Sequence, residues 1–170
     1  MELKEGLVTI GQNAFSETRN LHAIALPASL ETIGDGAFYG CSGLTEIVLP
    51  EGVTEIGEWV FYNCSGLTSV EIPDSVISIG SHAFRDCSSL TSVVIPDSVT
   101  SIGSSAFSYC DSLTNMEIGD SVTTIGEWAF YNCNALTSVT FANPNGWWRA
   151  SDANATSGPA ISSVSLADPA

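Results

Sequence analysis

Apolar residues along this chain fall at positions that return every 23 residues. In the stretch 90–112, Leu90, Val93 and Ile95 open the unit, and the one-residue gap between Val93 and Ile95 is the alternation of a strand with one buried side. A proline follows at 27, 50, 73 and 96, where a residue without an N–H belongs at a strand end or corner. Val99 and Ile102 predict a second short extended piece. A glycine then recurs at 34, 57, 80, 103 and 126, which suggests a turn requiring positive φ. Ala106, Phe107 and Cys110 have the spacing of one helical or 3₁₀ turn with an inward side. Full units run 21–43, 44–66, 67–89, 90–112 and 113–135. Leu7, Ile10, Gly11, Ala14 and Phe15 are the back half of an earlier unit, and Leu136, Val139 and Phe141 the front half of a later one. A unit this short cannot bury its apolar side alone, so the pattern predicts a stacked solenoid. Roughly six coils at about 4.8 Å each give a rod on the order of 30 Å long.

The recurring string L-T-x-V-x-I-P-x-S-V-x-x-I-G-x-x-A-F-x-x-C resembles the repeat of the bacterial BspA-like leucine-rich repeat proteins over residues 7 to about 142. That resemblance implies a right-handed leucine-rich repeat solenoid with a parallel β-sheet on its concave side, and with short extended segments and short helical or 3₁₀ turns elsewhere. It also implies a cell-surface or secreted protein of a host-dwelling bacterium, used for adhesion or protein binding. The domain division is a solenoid over 1–142 and a C-terminal capping segment, truncated or complete, over 143–170. In the latter, Trp147 or Trp148 is expected to lid the last coil, and Ile161, Val164 and Leu166 suggest one more strand. Residues 1–6 are expected to leave the first half-coil poorly covered.

Composition narrows the partners. The chain has 170 residues, with 19 Asp and Glu against 4 Lys and Arg, for a formal charge of −15. So few cations cannot neutralise a row of phosphates, so neither nucleic acid nor an anionic membrane surface is an expected partner. No apolar run approaches the length that spans a bilayer, so membrane insertion is not expected. The start lacks the basic residues and apolar run of a signal peptide, which leaves a cytosolic protein or a fragment whose targeting signal lies elsewhere. The surface assignment therefore rests on the resemblance alone.

No catalytic residue, metal site or cofactor is expected. His22 and His82 lie at different repeat positions and read as isolated surface residues. The serines follow the repeat, with no nucleophile elbow, phosphate loop or HExxH motif among them. Ser75, Ser98 and Ser121 stand beside Asp74, Asp97 and Asp120 as turn and capping residues. Glu51, Asp74, Asp97 and Asp120 form a corner column, read as turn capping, with a weak divalent-cation ladder as the sharper alternative. Cys41, Cys64, Cys87, Cys110 and Cys133 share one repeat position and form a single column. They read as small buried thiols of the core, with pairing between adjacent coils and a metal site as less favoured alternatives. The triplets at Asn63 and Asn154 match the glycosylation pattern, which arises often by chance.

Two surfaces could carry binding. Outward positions of the concave sheet include Glu46, Val48, Ser69, Glu71, Ser92, Val94, Asn115 and Glu117, beside a threonine column at 45, 68, 91, 114 and 137. This face is mildly acidic and lacks the aromatic and arginine anchors of tight interfaces. Trp59, Tyr62, Trp128 and Tyr131 belong to two near-copies, residues 57–64 and 126–133, and form an aromatic edge on the turn side. They either bind a partner or pack over the adjacent coil. The sequence thus reads as a non-enzymatic module whose ligand is a protein or a glycan. A structural spacer or stalk without a dedicated ligand is the alternative, as is end-to-end self-association through open sheet ends.

Overall fold

The computed structural model describes residues 1–142 and the backbone of Arg149–Ala150. The strands are short: β1 (Thr9–Ile10), β2 (Thr32–Ile33), β3 (Glu46–Val48), β4 (Glu55–Ile56), β5 (Ser69–Glu71), β6 (Ser78–Ile79), β7 (Ser92–Ile95), β8 (Ser101–Ile102), β9 (Asn115–Ile118), β10 (Thr124–Ile125), β11 (Ser138–Phe141) and β12 (Arg149–Ala150). Each coil of the solenoid contributes to two parallel strand faces, one before the proline position and one after it. The first carries β3, β5, β7, β9 and β11, paired β3–β5 and β7–β9–β11. The second carries β1 and β2 as one pair and β4, β6, β8, β10 and β12 as a five-stranded ladder. Register is one repeat per rung, as in Ser78↔Ser101 and Ile79↔Ile102. This is the stacked solenoid the periodicity predicts, of the leucine-rich repeat kind the resemblance implies.

The third face departs from expectation. No α- or 3₁₀-helix occurs among the described residues; turns follow one another instead. Alternate residues divide their hydrogen bonds between coils. In the first coil Ala14, Ser16 and Thr18 donate within the coil, to Gly11, Asn13 and Phe15. Asn13, Phe15 and Glu17 donate outward, to Asp35, Ala37 and Tyr39 of the next coil. A helix would have spent all these donors on itself, and the turn face becomes a third rung of the stack. The outward donors require left-handed backbone at two positions per coil. One column holds Asn13, Gly36, Trp59, His82, Ser105 and Trp128, and the other Glu17, Gly40, Asn63, Asp86, Tyr109 and Asn132.

The glycine column has a different cause from the one predicted. Gly34, Gly80, Gly103 and Gly126 are not among the residues with positive φ. A Cβ at Gly103 would lie 2.5 Å from Ser81 N and 2.6 Å from Gly80 C, so glycine is required for close stacking of coils. The N-terminus leaves the first coil thinly covered, as expected, with Ala14 exposed and Phe15 only partly buried. Residues 1–6 continue the repeat in register, since Glu2 bridges Ala25, Leu3 N donates to Ala25 O, and Gly6 N donates to Ser29 Oγ. Leu3 and Leu7 have the spacing of Leu26 and Leu30, a signal present in the sequence. At the far end β12 pairs with β10 through Thr124↔Arg149 and Ile125↔Ala150, so the second strand face reaches into the segment assigned to the cap. The expected tryptophan lid and the strand around Ile161, Val164 and Leu166 lie outside the described residues.

The core is a set of columns. Phe15, Phe38, Phe61, Phe84, Phe107 and Phe130 stack nearly parallel, with centroids 5.1 Å apart at Phe84–Phe107 and 5.8 Å at Phe107–Phe130. The five cysteines are fully buried free thiols. Each donates to the carbonyl of the phenylalanine one coil back, Cys64 Sγ to Phe38 O at 3.1 Å and Cys87 Sγ to Phe61 O at 3.1 Å. Burial pushes the Cys64 and Cys87 thiols up, well above their ordinary range. Polar columns close the outer surface. Thr68 Oγ1 donates to Thr45 O at 2.9 Å, and the same carbonyl accepts Thr68 N. Ser75 and Ser98 donate to Val53 O and Val76 O, both at 2.7 Å, so these serines tie coils together rather than cap local turns.

Candidate functional site

The two predicted surfaces are both present and very different. On the first strand face, Glu46, Ser69, Ser92, Asn115, Val48, Glu71, Val94 and Glu117 are all exposed. Register sets Glu46 beside Ser69, Val48 beside Glu71, Ser92 beside Asn115 and Val94 beside Glu117. Every second side chain points inward, so the outward ones make a flat sheet. Val48 and Val94 are 57% and 60% exposed, and the row Val48, Glu71, Val94, Glu117 alternates apolar and anionic chemistry.

The turn face is built differently. An adjacent buried pair, Ala or Val and then Phe, is flanked by one outward side chain on either side, as Val60 and Phe61 are by Trp59 and Tyr62. The first outward row is the left-handed column of Trp59, His82 and Trp128. The second carries Tyr39, Tyr62, Arg85 and Tyr131. Tyr39 and Tyr62 stack face to face at 4.8 Å and 4°. The Arg85 guanidinium lies 5.9 Å from the Tyr62 ring and 5.1 Å from the Tyr109 ring, and Tyr109 meets Tyr131 edge-on at 5.6 Å. Tyr109 stands one residue late because Ser108 turns inward and donates to Trp128 O at 2.6 Å. An aromatic and guanidinium run therefore crosses five successive coils.

Trp59 and Trp128 remain 43% and 57% exposed. Trp59 leans on His82 at 6.0 Å, and Trp128 on Tyr131 at 6.1 Å. Between the rows a groove of about 650 Å³ is lined by Gln12, Asn13, Asp35, Gly36, Tyr39, Trp59, Tyr62, His82 and Arg85. The sequence reading reached Trp59 and Tyr62 but missed the rest of this groove. Tyr39 and Arg85 share the repeat position of Tyr62 and Tyr131, which was the available signal. His82 is not the isolated surface residue expected: it is partly buried, and its Nδ1 has no hydrogen-bond partner. Burial, then the nearby Arg85, hold its imidazole below the usual range. His22 stays exposed, with Nδ1 against Asn20 O at 2.8 Å.

The acidic corner column is exposed, and Asp97 Oδ1 accepts Asp120 N from the next coil at 3.0 Å. There the Asp97 carboxylate serves the stack as a backbone acceptor. Among the described residues no group of three or more His, Cys, Asp or Glu side chains is placed to hold a metal ion.

Comparison with known proteins agrees with this geometry. Residues 60–146 match the BspA-type leucine-rich repeat region, in six copies. The chain belongs to the BspA-type leucine-rich repeat family. A leucine-rich repeat protein of T. pallidum is 34% identical with a TM-score of 0.79, the match covering 82% of this chain and 68% of that one. A leucine-rich repeat protein from Bacteroides ovatus is 27% identical with a TM-score of 0.78, covering 96% of this chain and 46% of that one. This BspA-type chain therefore spans less than half of the Bacteroides protein. No curated protein sequence matches it.

Proposed function

We propose that this BspA-type solenoid is a non-catalytic interaction module of a bacterial cell-surface or secreted protein, and that its ligand sits on the turn face. The observation that carries this reading is the pair of exposed tryptophans standing in left-handed backbone. Trp59 has φ 55° and Trp128 φ 58°, at the repeat position where the first two coils carry Asn13 and Gly36. A bulky side chain there costs on the order of 1 kcal/mol more than glycine. The fold recovers only part of what such a side chain can bury, since the two residues stay 43% and 57% exposed. Strain with only a partial structural return, next to an aromatic run, supports a recognition role. The surface location rests on the family resemblance.

The test is capture of serum and extracellular-matrix components on the immobilised solenoid. The Trp59→Asn, Trp128→Asn double variant keeps the left-handed backbone, as Asn13 does, and removes both rings. Loss of capture with an unchanged melting curve is expected. Capture that survives this variant but is lost in Glu71→Lys, Glu117→Lys moves the ligand to the strand face, where binding should weaken with salt. If no component is captured, the module reading fails and the spacer reading takes its place.

A further inference from the structure

The groove beside Trp59 has a chemistry that narrows its ligand. Backbone donors are spent, because Asn13 N, Gly36 N, Trp59 N and His82 N all bond to the next coil, so an extended peptide finds no strand edge to join. The groove lining carries one anionic and one cationic side chain, Asp35 and Arg85, and Arg85 is itself paired with Asp86 at 3.3 Å. What remains is a set of uncharged or mixed donors and acceptors beside the Trp59 ring and the mutually stacked Tyr39 and Tyr62. Gln12 and Asn13 supply amides, and Asp35 a carboxylate that already accepts Gln12 Nε2 at 3.3 Å and Glu58 N at 2.9 Å. A ligand that suits this lining is uncharged, rich in hydroxyls and flat and apolar on one side.

We propose that the groove binds a neutral oligosaccharide, with one sugar ring resting on Trp59 and its hydroxyls read by Gln12, Asn13 and Asp35. This rests on the reading of the turn face as the ligand-bearing face. It assigns the second exposed tryptophan, Trp128, no part in sugar binding, since the groove does not reach it.

The experiment follows tryptophan fluorescence and calorimetry on the whole chain while it is titrated with a panel of tetrasaccharides. The neutral probes are cello-, xylo-, manno- and laminaritetraose and tetra-N-acetylchitotetraose; the charged ones are tetragalacturonate and a heparin tetrasaccharide. At least one neutral probe is expected to bind, with Trp59→Asn weakening it roughly tenfold or more. Gln12→Ala, at an exposed position outside the core, should weaken the same probe several-fold and serves if Trp59→Asn fails to fold. Trp128→Asn should leave it unchanged. No binding of any neutral probe up to about 10 mM, or binding only of charged probes, overturns the proposal. So does neutral binding indifferent to Trp59→Asn and Gln12→Ala. Should capture of matrix components depend on the tryptophans while every tetrasaccharide fails, the saccharide assignment falls and the module reading stands. If both fail, both fall.

Discussion

Replacing Gly103 by alanine separates two reasons for a glycine column. Gly103 is outside the positive-φ region, so if chain freedom were the only issue, alanine would stabilise by about 0.4–1 kcal/mol through the unfolded state. The packing says the opposite. The new Cβ would stand 2.5 Å from Ser81 N, 2.6 Å from Gly80 C and 2.9 Å from Gly80 O, all of them backbone. Relief to an ordinary contact of about 3.5 Å requires the two coils to part by about 1 Å. Gly103 N reaches Ile79 O at 2.8 Å, and a bond stretched that far ceases to be one. Overpacking of about 2 kcal/mol and one or two weakened rungs of about 1 kcal/mol each give a loss of roughly 3–4 kcal/mol. The melting temperature should fall by about 10 °C. Urea unfolding followed by far-UV circular dichroism reads this directly, with Ser105→Gly as the counterpart. That substitution relieves a true left-handed position, φ 55°, and should be neutral or stabilising by up to about 1 kcal/mol. A Gly103→Ala variant as stable as the parent would refute the stacking argument.

Other expectations follow from the columns. Phe84→Ala removes a fully buried ring stacked on both sides and should cost about 3–5 kcal/mol in the same assay, whereas Phe15→Ala, partly exposed in the first coil, should cost clearly less. Alkylation mass spectrometry should label no cysteine in the native protein and all five after denaturation without reductant; rapid native labelling, or fewer than five labels, contradicts the buried column of free thiols. His82 has a folded-state pKa below its ordinary value of 6.5, so the unfolded chain binds the proton more readily. Its contribution to stability is complete above about pH 6.5 and is lost as pH falls from there to the folded pKa. His82→Gln should flatten that part of the stability profile, and an unchanged profile would show that His82 titrates as it does in the unfolded chain.

Most of the solenoid was legible because a stack of identical coils writes its core as identical residues. Leu90, Val93, Ile95, Val99, Ile102, Ala106, Phe107 and Cys110 are all buried, as their recurrence predicts. The turn at 104–110 was not legible as to type. Successive turns share the inward spacing of a helix, and what separates them is the destination of alternate N–H groups, which no side chain announces. The glycine column was found and misassigned for a similar reason, since sequence shows the missing Cβ but not whether φ or a neighbour forbids it. The N-terminal residues were legible but overlooked, because Leu3 and Leu7 carry the spacing of Leu26 and Leu30 with only part of the motif around them. In the candidate site, Trp59 and Tyr62 stood out as a near-copy of Trp128 and Tyr131. The polar half of the groove did not, because Gln12, Asn13 and Asp35 come from earlier coils and meet Trp59 only through the stack.

The same stacking limits where function can be written. Buried columns must repeat, or a cavity or clash opens between coils. Backbone groups on the turn face are committed to the ladder, coil after coil. Even the threonine and serine columns are used, since their hydroxyls bond to carbonyls one coil back. Variation is tolerated only in outward side chains, and the two strand-face columns vary mostly among small residues, valine and glutamate. The outward turn columns vary far more, running Asn, Gly, Trp, His, Ser, Trp in one and Ser, Tyr, Tyr, Arg, Ser, Tyr in the other. Large aromatic residues placed where the backbone favours glycine or asparagine are the point at which this chain departs furthest from what stacking alone would select. Stacking in a stalk does not call for such a departure, and the proposed ligand on the turn face accounts for it.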